Sequence, residues 1–350
     1  MVHLTNNPLG HFFKKHKEQF LKHKDKFIWM HSIYALFFGI GVMWLGSQDF
    51  KYIRIAIWEI TFIWLSSLAI PLILSHPKIP LKWKQRIRLS INYFNRNFYQ
   101  QLLFFVLPIY YMSATAGSKN IFFIVLIAIS AIFSTMDIVY DRYISVRGTI
   151  MSLFFAFNLF AGINAMLPIL WGVRTIHAVR ISAIIAFLGF VTFCFQLTHI
   201  KTTKKWLLTM AAGLVIFMVA ELGRSFIPPA PLRVDAIDFG TSMVKNQLKI
   251  YPTINSLPVA KKKQRIYILS AIKANITLKE RVRHLWYLNG EKLFTSRLFH
   301  VIGRAGNGFR VWTAYSLPPL KQDSLLMVEV QTEGGQLVGR RVLKAESKIN

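Results

Sequence analysis

Seven stretches of about twenty apolar residues constrain this chain more than any other feature. A bilayer core is about 30 Å thick, and a helix needs about 20 residues to cross it. Windows of that length fit 27–46, 53–74, 98–116, 121–140, 149–171, 181–199 and 206–222. We therefore expect an α-helical polytopic membrane domain over 27–224 behind a basic tail at 1–26. Composition agrees: 53% of the residues are hydrophobic, above the roughly 45–50% of a soluble domain, and mean hydropathy is +0.39. The apolar stretch behind the tail is too long for a signal peptide and offers no clear small-residue cleavage site, so it reads as a retained first span.

Positively charged connections resist translocation and so report orientation. Counted over the tail and alternate loops, seventeen Lys and Arg fall on the side of the amino terminus, and six on the other: Lys51, Arg54, Lys119, Arg174, Arg180 and Arg224. The bias predicts a cytoplasmic amino terminus, and seven crossings then put the carboxyl terminus outside, in the periplasm if the cell is bacterial.

Beyond Arg224 the pattern changes. Pro228, Pro229 and Pro231 suggest an extended, semi-rigid spacer, and 225–264 reads as a linker and extension. From 265 to 350 short alternating runs at 267–274, 281–288, 292–302, 309–316, 325–332 and 336–344 predict strands with one buried face. Asn289-Gly290 is a strong type I′ hairpin signal, and Glu333-Gly334-Gly335 a weaker one. The expectation is a small, all-β, antiparallel, immunoglobulin-like sandwich. On strand parity Trp286 and Trp312 are both assigned to its core.

Three motifs in this region carry a resemblance: Leu-Lys-Glu-Arg-Val-Arg-His-Leu-Trp-Tyr-Leu-Asn-Gly at 278–290, Gly-Phe-Arg-Val-Trp-Thr at 308–313, and Val-Gln-Thr-Glu-Gly-Gly-Gln-Leu-Val-Gly at 330–339. In order and spacing they resemble the carboxyl-terminal domain of an uncharacterised bacterial family that places a multi-span region before a small β domain, both of unknown function. The resemblance implies an envelope location and a β-sandwich. It supplies no substrate, cofactor or catalytic residue. One departure is visible, since Ser-Leu-Leu-Met at 324–327 stands where a Gly-Xaa-Trp is expected.

Ionisable groups within spans are expensive in lipid and mark functional candidates. Arg54, Glu59, Asn164, Arg174, His177, Arg180, Glu221 and Arg224 all belong to the outer side and are expected to converge in an outward-facing polar pocket. The alternative is structural: Glu221 pairs with Arg224 on one helix face, and Glu59 with a neighbouring arginine. On the inner side, Trp83, Ile87, Ile91 and Phe94 at helical spacing, with Lys84, Arg86 and Arg88 around them, predict an amphipathic helix over 81–97 among anionic headgroups. A docking site for a cytoplasmic partner is the other reading of that helix.

From Phe226 onward there are twenty Lys and Arg against eight Asp and Glu. Arg281, Arg283, Arg297 and Arg310, interleaved with aromatics, form a candidate anion-binding face for lipid headgroups or envelope polymers. Nucleic acid is not expected as a partner, and neither is a metal or cofactor. His11, His16 and His23 lack ligand spacing, and Cys194 is the single cysteine. No Walker loop, Rossmann fingerprint, HExxH, GxSxG or CxxC occurs. The leading expectation is a non-catalytic envelope protein displaying a binding or scaffolding module, with an envelope protein or a second copy of the chain open as partners. A transporter or lipid handler using the polar pocket stands second, and an envelope-modifying membrane enzyme third.

Overall fold

The computed structural model of the chain describes residues 24–48, 80–136, 139–144, 147–198, 203–259, 262–273, 278–302 and 308–346, with single positions at 58, 62, 65 and 77. Among them the first part is helical: α1 (Lys24–Gln48), α2 (Leu81–Met112), α3 (Ile121–Thr135), α4 (Gly148–Trp171), α5 (Thr175–Thr198) and α6 (Thr203–Leu222), with a π-helical turn at Tyr140–Ile144.

Seven spans are not supported among the described residues; three helices are long and apolar enough to cross a membrane. These are α4, the Thr175–Thr192 part of α5, and α6, while Ser32–Trp44 within α1 and the whole of α3 are apolar but shorter. At 1.5 Å per residue the 15 residues of α3 reach about 22 Å, less than a bilayer core. Where α3 ends, the Ser134 and Thr135 hydroxyls donate to the Ala131 and Ile132 carbonyls at 2.6 and 2.7 Å, and Met136 is extended. The expected span 53–74 lies outside the described residues apart from three positions.

A second correction concerns α2. The surface helix expected over 81–97 and the span expected over 98–116 are one 32-residue helix, because no Gly or Pro interrupts 81–107. Pro80 precedes its first turn and Pro108 lies within it.

The helical core is built from Leu103, Val106 and Tyr110 of α2, Ile127 of α3, Phe155 and Ala161 of α4, and Ala183 and Phe190 of α5. Gly189 lets α5 approach α4: a Cβ there would lie 2.4 Å from Leu159 Cδ1. Of an apolar 18-residue stretch, 67% is buried in α4 but only 17% in α6, so α4 is central and α6 turns most of its apolar surface outward.

The second part is a β-sandwich. A three-stranded sheet, β1 (Arg233–Gly240), β5 (Gln264–Lys273) and β9 (Phe309–Leu317), packs on a larger one. That larger sheet runs β4 (Leu257–Pro258), β11 (Leu337–Glu346), β10 (Leu325–Thr332), β6 (Lys279–Leu288) and β7 (Glu291–Thr295), with β8 (Phe299–Ile302) also on β6. A hairpin of β2 (Met243–Val244) and β3 (Lys249–Ile250) stands apart. Every named pair is antiparallel except β4 with β11. Ile237, Phe239, Ile266, Ile268 and Val311 of one sheet meet Val282, Trp286, Val328, Val330 and Leu343 of the other. The Asn289-Gly290 turn has positive φ at both residues, 52° and 88°, as a type I′ turn requires.

Three expectations for this part change. Residues 225–264 are no linker, because they supply β1 to β4 and place Leu232, Ile237, Phe239 and Leu257 in the core. The proline segment, expected as a spacer, is buried from Ile227 to Leu232. Proline has no N–H to leave unpaired, so such backbone can be buried with few donors to satisfy. Trp286 is fully buried, but Trp312 is only half-buried: on β9 the inward positions are Val311 and Thr313, which turn Trp312 to the other face under Lys245, 5.8 Å from its ring centroid.

Candidate functional site: the seam between helices and sandwich

The chain returns to one side of the helical region at three places, the α2–α3 loop (113–120), the α4–α5 turn (172–174) and the end of α6 (223–226). The α2–α3 loop meets the sandwich at β11, the α4–α5 turn and the start of α5 meet it at the β10–β11 turn and the start of β6, and residues just beyond α6 meet it through Ile227.

The tightest contact is at α5. Gly172, with φ 61°, closes α4 in the left-handed conformation that favours glycine, and the chain re-enters helix at Thr175. There the Thr175 N–H donates to Glu280 Oε2 at 2.7 Å, and Glu280 Oε1 accepts the Arg281 N–H at 2.9 Å. Glu280 is 1% exposed. A buried carboxylate on the first amide of a helix satisfies a free donor and sits at the positive end of the helix dipole. The second sheet of the sandwich therefore caps α5 across the seam.

Beside it, Glu333 in the β10–β11 turn accepts from Arg174 Nη1 at 3.0 Å and from Arg281 Nη1 at 3.3 Å. Arg174 Nη2 also donates to His177 Nε2 at 2.9 Å, since a guanidinium has no acceptor. Asn120, fully buried, donates to the Leu337 carbonyl at 3.3 Å and accepts the Thr115 N–H at 3.3 Å. Gln336 Nε2 donates to the Ile227 carbonyl at 3.1 Å, and Arg340 donates to the Gly117 carbonyl. Next to the Arg340 contact, a polar groove of about 590 Å³ runs between 112–116 and the β1 and β11 strands, with Asp235 and Asp238 on its wall. The Lys273 ammonium, 2.9 Å from Asp235, holds that carboxyl below its ordinary range.

The expected polar pocket does not assemble as one site. Arg174 and His177 belong to the seam. Arg180 pairs with Glu221 at 3.0 Å, and Arg224 pairs with the same carboxylate, joining the ends of α5 and α6. Asn164 is buried in the helical core, donating to the Tyr110 hydroxyl at 2.9 Å, which in turn donates to the Ala161 carbonyl at 2.8 Å. Arg54 and Glu59 lie outside the described residues.

The four arginines of the expected anion face are likewise spread. Arg281 and Arg283 share the outer side of β6; Arg310, on β9 of the other sheet, donates to the Leu248 carbonyl at 3.2 Å; and Arg297 covers Phe299, 5.5 Å from its ring centroid. Of the surface-helix residues, Trp83 and Arg86 are exposed, with the Arg86 guanidinium 5.7 Å from the Trp83 ring, and Lys84 and Ile87 are half-buried. The side chains of Arg88, Ile91 and Phe94 lie outside the described residues.

Sequence reasoning missed Glu280, Glu333, Asn120 and Gln336. The signal for Glu280 was parity: it precedes Val282, His284 and Trp286 on the inward side of one strand, where a carboxylate needs a partner. Among the described residues no three His, Cys, Asp or Glu side chains group to hold a metal.

A model of a family of unknown function, DUF5924, matches residues 11–268. The chain belongs to this family. The DUF5924 match takes in the described helices, β1 to β4 and half of β5, and stops before the three motifs at 278–339. The family therefore rests on the helical region and the first strands, rather than on the carboxyl-terminal motifs. No curated protein matches the chain.

Proposed function

We propose that this DUF5924 protein is a non-catalytic, multi-span bacterial inner-membrane protein that holds a basic β-sandwich at a fixed orientation on the periplasmic side, as a binding or scaffolding part of the envelope. The observation that carries this reading is the Glu280 cap on α5, which with Glu333, Asn120 and Gln336 makes the sandwich part of one body with the helices. A module on a free tether samples orientations; one held by these bonds presents a single surface. Its excess of Lys and Arg favours anionic headgroups, envelope polymers or an acidic envelope protein as partner. Transport through a polar pocket has less support, because Asn164, Arg174 and Glu221 bond in three separate places.

Reporters fused after Ser90, Arg147 and Lys204 are expected to read cytoplasmic, and those after Lys119, Gly172 and Lys348 periplasmic; a cytoplasmic reading at Lys348 overturns the envelope function. Glu280→Ala removes the cap, and loss of a charge-assisted bond of this kind costs about 1.5–3 kcal/mol. Crosslinking of a cysteine pair introduced at Gly117 and Arg340 should then fall, while the sandwich stays folded by tryptophan fluorescence. Unchanged crosslinking would return the sandwich to the status of a tethered module.

A further inference from the structure

An apolar groove of about 710 Å³ opens between α3 and α6, with Ala156 and Phe160 of α4 at its base. Phe122, Leu126, Val219 and Phe226 are among its walls, and every lining residue is apolar or glycine. Its upper end lies at the seam, where α3 begins and the turn after α6 carries Phe226. We propose that this groove holds one acyl chain of an anionic phospholipid, whose headgroup is received by Lys119 and Arg224. This inference rests on the reading that α4, α5 and α6 span a membrane.

Apolar walls alone select nothing, because bilayer tails are as apolar as leucine and a chain gains little by moving from one to the other. Selection must come from the headgroup, and the net charge around the groove's mouth is positive, with Lys119, Arg180 and Arg224 against Glu221. Exposed Lys119 stands 5.9 Å from the Phe226 ring centroid, and Phe226 meets Phe122 edge to face at 6.2 Å, so the cation lies over the groove's own wall. Arg224 sits between Gly223 and Phe226, both of which line the groove. It shares the single carboxylate of Glu221 with Arg180, leaving one positive charge over, and its buried Nε has no hydrogen-bond partner among the described residues. A phosphodiester at the mouth meets the exposed Lys119 and, beside it, the net positive charge of the Arg180–Glu221–Arg224 cluster.

The test uses the full chain in nanodiscs of equal phosphatidylglycerol and phosphatidylcholine, released into mild detergent for native mass spectrometry. Retained adducts should favour phosphatidylglycerol, and Lys119→Gln should cut that preference about fivefold, the weight of one cation near a lipid surface. Ala220→Phe, which fills the groove, should remove adducts of both headgroups, with thermal unfolding checked to show that the chain remains folded. Adducts in the bilayer's own ratio, or a preference that Lys119→Gln leaves intact, would overturn the proposal. Resistance of the native chain to carbonate extraction tests the membrane reading separately, so the two can fail independently.

Discussion

The helical region and the sandwich satisfy their buried polar groups by different routes. In the helices most of these hydroxyls and amides turn back to their own backbone, the Asn164–Tyr110–Ala161 chain between α2 and α4 being an exception. Ser152 donates to the Gly148 carbonyl, Asn158 to Phe154 and Ser182 to Ala178, at 2.7, 2.6 and 2.6 Å. A helix always offers the carbonyl four residues back. A strand offers none, so an inward polar side chain in the sandwich finds a partner on another element or, like Ser270, has none among the described residues. Thr313 Oγ1 on β9 meets His284 Nδ1 at 2.8 Å and accepts from Trp286 Nε1 at 3.2 Å, tying the two sheets together, and Glu280 reaches α5. A polar residue within an apolar span is thus weak evidence of a site, and one at an inward strand position is strong evidence of a tertiary contact.

The largest test of that contrast is Trp286→Ala, expected to destabilise the sandwich by about 3–5 kcal/mol in chemical unfolding, as large-to-small changes of a buried aromatic do. Ser182→Ala should cost under about 1 kcal/mol, since its carbonyl partner keeps its helical bond. Comparable losses would break the contrast.

Acid should separate the two regions next. Burial pushes His284 down to about 4 from its ordinary 6.5, so the unfolded chain binds the proton more readily between those values. Stability from this residue is complete above pH 6.5 and is lost as pH falls toward 4, by about 3 kcal/mol in all. His284→Gln should flatten that part of the pH dependence of thermal unfolding, read through tryptophan fluorescence. A slope between pH 6.5 and 4 that the variant leaves unchanged would assign the acid sensitivity to another group.

The smallest effect is expected at Arg281, half-exposed beside Glu333: Arg281→Ala should shift stability by less than about 1 kcal/mol, as exposed ion pairs do. A larger loss would mean that Glu333 depends on both arginines to hold the seam.

Much of the sandwich was legible because alternation reports burial directly. The strands 281–288, 309–316 and 325–332 were located within two residues, and Asn289-Gly290 was identified with its turn type. β1 escaped because its register shifts between Val234 and Ala236, which spoils the alternation. The run 292–302 was read as one strand, yet it is split into β7 and β8, which cover the two halves of β6. Hydropathy located the helices but not their ends, since an apolar residue suits both a protein core and lipid. The candidate site was only half legible: Arg174 and Arg281 were singled out in separate constellations, and Glu333, the carboxylate they share, was read as part of a turn.

The cap on α5 also has a meaning in time. Glu280 lies 105 residues downstream of the amide it receives, so during synthesis Thr175 is made long before its partner exists. Until the sandwich closes, that helix end keeps a free donor and Arg174 lacks Glu333. A chain cut short within the sandwich displays both defects, and frayed helix ends are where local opening and proteolysis begin. The seam is therefore among the last contacts to form: the start of α5 is covered only after the strand that carries Glu280 has been made and packed.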